Sequence, residues 1–181
     1  PGGALQAEVL SGLDVLARDG FAPLKGKKVG IVTNCTGRDR KGNKIADLVF
    51  NAPGVTLAAL FAPEHGLTGT ENGIVPSGED PEHRIPIHSL YGATTKPTPE
   101  MLKPLDVLLF DLQDVGARYY TYITTMAKCM EAAKASGKEF IVLDRPNPVN
   151  GVTVEGALLD QELCGNFAGY YPIPVRHGMT A

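Results

Sequence analysis

The chain has 181 residues, a 43% apolar fraction, 20% charged residues and a formal net charge of −3. That length can bury one domain-sized core, and the balance is ordinary for a globular protein. The charge excludes a general affinity for nucleic acid. No apolar stretch reaches the ~20 residues a membrane-spanning helix needs.

AEVLSGLDVLARDG, residues 7–20, places Val9, Leu13 and Leu16 at helical spacing and closes on Gly20, which predicts a first helix. KKVGIVTN is a β-branched run that predicts a buried strand. NKIADLVFNAPG predicts a short amphipathic helix ended by Pro53-Gly54, and VTLAALFAP a second buried strand. Residues 69–86 are rich in Gly, Pro and acids and predict a long irregular loop, a feature that is usually functional or mobile.

IPIHSLYG predicts a short strand. KPTPEMLKPL predicts a helical turn capped by Thr98 with Pro99 at its first position. DVLLFDLQDVG is a third buried strand. The clearest helix follows in YTYITTMAKCMEAAKASG, with Ile123, Met126, Ala127, Met130 and Ala133 as its apolar stripe and Gly137 as its stop. EFIVLDRP is a fourth buried strand. Near-continuous apolar strands alternating with helices predict an α/β fold: a doubly wound, mostly parallel open sheet with helices on both faces. It is Rossmann-like, but TNCTGRDRKG after the first strand lacks G-x-G-x-x-G, so no dinucleotide cofactor is expected.

In open α/β sheets ligands bind beyond the carboxyl ends of the strands. The four strong strands end in Asn34 and Thr36; in Glu64 and His65; in Asp111, Gln113, Asp114 and Arg118; and in Asp144, Arg145 and Asn147. Four polar ends on one rim form a stronger signal than any single dipeptide. Each has a plainer reading, since Asp and Asn at strand ends cap helices or close Asx-turns, and Arg118 or Arg145 could pair Asp111. A carboxylate at the end of a buried strand needs a partner or shifts its pKa. Cys35, Cys129 and Cys164 show neither zinc spacing nor a disulfide framework and read as small packed residues. A metal set of His65, Asp111, Asp114 and His177 can be drawn, although no spacing demands it.

Glu64 follows an apolar strand and is framed by Pro63 and Gly66. Partial desolvation there favours the protonated carboxyl, which suits acid–base chemistry. A second carboxylate on the rim would complete the pair used in glycoside cleavage.

Seven motifs then occur in order: VTNCTG, FAPEHGLTG, SLYG, FDLQDVGARYYTY, DRPNPVNG, VEG and IPVRHGMT. Together they resemble the NamZ-type exo-β-N-acetylmuramidases, a glycoside hydrolase family that releases N-acetylmuramic acid from non-reducing ends of peptidoglycan fragments. The resemblance implies that residues 1–181 form a single Rossmann-like N-terminal domain of a longer two-domain enzyme, with the active site in the cleft between domains. The abrupt start, PGGALQ, and the abrupt end, RHGMTA, fit that expectation. The resemblance makes Glu64 the catalytic acid and leaves Asp111, Asp114 and Glu155 as candidates for the second group. It makes Asn34, His65, Arg118, Tyr119, Tyr120, Asp144, Arg145, Asn147, Arg176 and His177 cleft residues. The family commonly has His where this chain has Cys35.

Arg118, Arg145 and Arg176 are forks suited to a lactyl carboxylate, and Tyr119 and Tyr120 are rings that can stack on a sugar, one of them expected to pack under the helix. No metal or cofactor is implied. The expected partners are a muramyl saccharide and a C-terminal domain, with no nucleic acid and no membrane span. The expected location is the cell envelope, periplasmic or secreted. Two other readings remain open at this stage: a metal-dependent hydrolase on the same rim, and a non-catalytic cell-wall sugar-binding domain.

Overall fold

A computed structural model of the chain describes residues 9–180. The first helix, α1 (Gly12–Arg18), starts later than its apolar spacing suggests. Ser11 and Asp14 form a capping box that fixes the start at Gly12, and residues 7 and 8 of the expected helix lie outside the described residues. Val9 precedes the cap and is exposed, so it does not belong to the helical stripe. Gly12 lies so close to the backbone of Leu143 and Asp144 that a Cβ would meet it at 2.6 Å. Its N–H donates to the Asp144 carbonyl at 2.7 Å.

The succeeding elements are β1 (Lys28–Thr33), α2 (Ile45–Phe50), β2 (Thr56–Ala62), β3 (Gly78–Glu79), β4 (Pro86–Ser89), α3 (Pro99–Leu102), β5 (Val107–Asp111), α4 (Tyr122–Ala135) and β6 (Glu139–Val142). The main sheet has the order β3-β4-β2-β1-β5-β6. All its pairs are parallel except β3 with β4. The chain winds from β1 outward through β2 to β4, then returns to place β5 on the other side of β1.

Two cores confirm that the sheet is covered on both faces. One joins α1 and α2 to alternate strand residues such as Val29, Ile31, Leu60 and Leu109. The other joins α3 and α4 to the intervening residues, among them Val32, Phe61, Leu108 and Phe110. β5 is buried at every position, as a strand enclosed on both faces must be. Period-2 alternation thus sends each strand's side chains into two separate cores.

α4 ends at Ala135 with Gly137 beyond it in a left-handed conformation, as expected. Of the expected stripe, Ala127 and Ala133 are buried and Met126 packs against the core, while the buried face is wider than the stripe. Tyr122, Thr125, Cys129, Ala132 and Ala133 go inward, and Met130 is exposed. Small side chains let the helix approach the sheet closely, so Thr and Cys occupy the core positions that a search for large apolar residues passes over.

A two-stranded antiparallel ribbon, β7 (Glu155–Leu158) and β8 (Pro174–Arg176), stands apart from the main sheet. It touches the rim through an isolated bridge between Ala117 and Arg176. No apolar run announces either strand, and β7 is exposed throughout.

Candidate active site

The carboxyl ends of β2, β1, β5 and β6 share one edge of the sheet. The winding direction reverses between β1 and β5, which makes this edge the topological switch point where ligands bind. A chain of hydrogen bonds ties three of these strand ends together. Asn34 donates from its amide to the Tyr122 hydroxyl at 2.8 Å, and the Tyr122 hydroxyl donates to the Glu64 carbonyl at 3.4 Å. Asn34 Oδ1 accepts from the Thr36 hydroxyl at 2.6 Å, and the same hydroxyl oxygen accepts the Gln113 N–H at 3.1 Å. Asn34 therefore closes an Asx-turn and also clamps β1 to α4 and β5.

Glu64 is half-buried at the start of the loop after β2. The Thr121 hydroxyl donates to its Oε2 at 2.6 Å from the residue preceding α4. The nearby Glu64 carboxylate also raises the Tyr91 phenol above its ordinary pKa. Tyr91 comes from the segment after β4, and Thr121 supplies the hydroxyl that orients the carboxylate. Such charge-assisted bonds are about twice as strong as neutral ones.

His65 and Gly66 both take left-handed backbone, with φ of 69° and 71°, a conformation rare for a residue with a side chain. The His65 ring donates from Nδ1 to the Glu71 carbonyl at 3.0 Å, while the Glu71 N–H donates to the His65 carbonyl at 3.2 Å. His65 thus pins the loop that follows the Glu64 turn. The Glu71 carboxyl lies against Gly66, where a Cβ would meet Oε1 at 2.4 Å.

Asp111 has no exposed surface and makes a two-pronged ion pair with Arg145, at 2.7 Å through Nε and 3.0 Å through the terminal nitrogen. Burial pushes the Asp111 carboxyl above its ordinary pKa, and the guanidinium pulls against that shift. Arg145 also donates to the Arg38 carbonyl at 3.0 Å, so the pair locks the loops after β1 and β6 onto β5.

Asp114 is also enclosed. Its Oδ2 accepts the Gly116 N–H at 2.7 Å and lies 3.2 Å from His177 Nε2, while Oδ1 is buried without a hydrogen-bond partner. The Met179 N–H donates to His177 Nδ1 at 3.2 Å, which places the ring proton on Nε2, facing Asp114. Asn147 closes an Asx-turn by accepting from Val149 and Asn150, and its amide donates to the Met179 carbonyl at 2.8 Å. Asp114, His177 and Asn147 together fasten the segment after β8 to the rim.

The remaining sequence candidates divide. Arg118 donates to the carbonyls of Ala157 at 2.8 Å and Ile173 at 2.6 Å, and so serves as a strut between the rim and the ribbon. Tyr120 packs edge-on to Tyr122 at 4.7 Å, whereas Tyr119 is 62% exposed. Glu155 and Arg176 pair across the ribbon at 2.5 Å, with Arg176 Nε buried and without a partner. Asp144 is exposed, accepts the Arg145 N–H at 3.0 Å, and lines an apolar pocket beside α1. It is not brought to Glu64 by any contact among the described residues.

Among the described residues the proposed metal set of His65, Asp111, Asp114 and His177 does not converge. A different trio does: Asp47, Glu82 and His83 bring their ligand atoms within 4.8 Å of one another, on α2 and the turn before β4. Sequence reasoning missed Thr121, Tyr91 and Tyr122, the hydroxyls around Glu64. All three lie inside motifs already singled out, SLYG and FDLQDVGARYYTY, but their role depends on tertiary placement.

Comparison with known proteins gives a consistent result. The sequence model of the family described as exo-beta-N-acetylmuramidase NamZ, N-terminal, matches residues 29–181. A curated protein of Bacillus subtilis (strain 168), peptidoglycan beta-N-acetylmuramidase NamZ, is 49% identical over 179 residues, covering 98% of this chain and 43% of that protein. Two crystal structures of DUF1343 family proteins from Bacteroides fragilis NCTC 9343 share the fold. One superposes with a TM-score of 0.88 at 45% identity, covering 94% of this chain and 43% of the other. The second gives 0.80 at 34% identity, covering 96% and 44%. The chain therefore spans less than half the length of the relatives it matches.

Proposed function

The chain belongs to the NamZ N-terminal family, and from that premise we propose that it is the N-terminal part of a two-part exo-acting β-N-acetylmuramidase. The observation that carries this reading is Glu64, half-buried at the carboxyl end of β2 beside the switch point and held by the Thr121 hydroxyl. A positioned carboxyl of this kind suits protonation of a leaving glycosidic oxygen.

In this reading Asp111 and Asp114 hold the rim rather than meet the sugar, because both are enclosed and bonded within the fold, Asp111 to Arg145 and Asp114 through Oδ2. Glu155 is the exposed carboxylate among the three candidates for the second group. We assign the second catalytic role to Glu155 or to a group on the other part of the enzyme. Arg145 and Arg118 donate to buried or backbone partners, whereas Arg176 pairs with the exposed Glu155 carboxylate and is the fork we assign to a lactyl carboxylate. The Glu155 carboxylate in this pair is exposed, so a substrate carboxylate can take its place on the guanidinium. With a peptidoglycan substrate, the location we propose is the cell envelope, periplasmic or secreted.

The test is product analysis with the full-length enzyme on muramyl oligosaccharides. Free N-acetylmuramic acid released from non-reducing ends supports the reading. Internal cleavage, or binding without turnover, contradicts it.

A further inference from the structure

The trio of Asp47, Glu82 and His83 lies away from Glu64. Asp47 is on α2, and Glu82 and His83 are in the turn that enters β4 at its amino end. β4 runs parallel to β2, so this turn is at the edge of the sheet opposite the Glu64 rim.

His83 is the fixed member. Its side chain is 8% exposed, and its ring packs on Phe50 with centroids 4.7 Å apart. Nδ1 faces Asp80 Oδ2, and Nε2 lies 3.1 Å from Asp47 Oδ1. A neutral imidazole carries one N–H, so its other nitrogen presents a lone pair. With a carboxylate on each side, one of the two contacts then sets lone pair against lone pair. A positive centre is needed there, either a second ring proton or a metal ion.

The surroundings favour the metal. Asp80 is buried and also accepts the His83 backbone N–H at 3.3 Å, so it backs Nδ1 as a carboxylate backs a metal-ligating histidine. Nε2 and Asp47 Oδ1 have the spacing of two zinc ligands: bonds of about 2.0–2.1 Å at a tetrahedral angle put the donor atoms ~3.3 Å apart. Glu82 completes a set of ligand atoms within 4.8 Å of one another, and its exposed side chain is free to close the gap. The ion pairs here set one ammonium, Lys44, against three carboxylates, Asp47, Asp80 and Glu82. A divalent ion cancels that excess, which a second ring proton only halves.

We propose that Asp47, Glu82 and His83 form a site for a divalent transition metal of the zinc type, with Asp80 orienting the imidazole and water completing the coordination. Imidazole with carboxylates is a donor set for zinc and its neighbours, whereas magnesium and calcium take oxygen ligands. The ion staples α2 to the turn between β3 and β4, beside a β3 strand of only two exposed residues. Its place opposite Glu64 makes it a structural site rather than part of the hydrolytic machinery.

The experiment titrates zinc by calorimetry into untagged full-length protein stripped with a chelator, with the thermal midpoint read in parallel. Wild type should bind zinc and gain a higher midpoint from it. Asp80→Asn should weaken binding about tenfold, the low end of the range for a partner behind a metal ligand. His83→Gln should weaken it further and abolish the zinc-dependent midpoint shift. Asp47→Asn, which alters a half-exposed side chain and leaves the ring in place, should do the same. Wild type that binds no zinc at millimolar concentration, its ring then bridging the carboxylates with two protons, overturns the site. Unchanged zinc affinity in folded Asp47→Asn and His83→Gln also overturns it.

Discussion

Thr121 donates its hydroxyl to Oε2 of Glu64 across 2.6 Å, joining the start of α4 to the turn after β2. The two residues are 57 positions apart in sequence, and the parallel sheet brings them together at its switch point.

Removing this bond should affect chemistry more than binding. Thr121→Val keeps the shape and deletes the donor. A hydrogen bond to a charged group is worth about 1.5–3 kcal/mol, so kcat should fall about ten- to hundredfold with KM nearly unchanged. Thr121→Ser should restore most of the activity. A kcat within twofold of wild type for Thr121→Val would remove Thr121 from the site.

Breaking the Asp111–Arg145 pair should cost stability. Asp111 has no exposure and all its ion-pair capacity is on Arg145. Arg145→Met leaves a buried carboxylate alone, a loss of about 3–5 kcal/mol. Chemical denaturation should show it as a lower midpoint at unchanged slope. The pair also shows why the rim was only half legible in sequence. Asp111 stands out there as a carboxylate ending an apolar strand, and the need for a partner follows from that alone. Which arginine supplies the partner does not follow, because both Arg118 and Arg145 were within reach of the pattern.

The fold was more legible than the site because it rests on local signals. β1, β2, β5 and β6 carry continuous apolar runs, and the Thr98 cap and Gly137 stop mark helix ends. The β7–β8 ribbon has no such run; β7 is exposed and β8 half-buried. Glu64 was found from its place after a buried strand. Thr121 and Tyr91 were not, since a hydroxyl gains its role only from what folding sets beside it.

Acid should loosen the first helix. Burial raises the Asp14 carboxyl, but the N–H groups of Arg40 and Ser11 and the Ser11 hydroxyl outweigh it and hold the pKa below its ordinary value. A lowered folded pKa stabilises above the unfolded value of about 3.9 and loses that contribution as pH falls through the folded value. Asp14→Asn should flatten the pH dependence of the denaturation midpoint below about pH 4. An unchanged profile would remove Asp14 as a contributor.

His177 and Asp114 should act as a clasp on the segment after β8. His177→Ala removes the contact to Asp114 Oδ2 and the acceptor for the Met179 N–H. Hydrogen exchange should then speed at Met179 and Gly116 while the core strands stay protected. Exchange confined to the fraying ends, with Met179 unaffected, would mean the clasp has no hold.

The central claim is that the Glu64 carboxyl is the acid of a sugar-cleaving site. The most direct measurement is release of the chromogen from an aryl N-acetylmuramide by full-length enzyme with Glu64→Gln, alongside circular dichroism to confirm the fold. The spectrum should stay native while release falls at least a thousandfold, the upper part of the range for losing a general acid, about 10²–10⁴. Wild-type release from the folded Gln variant would contradict it.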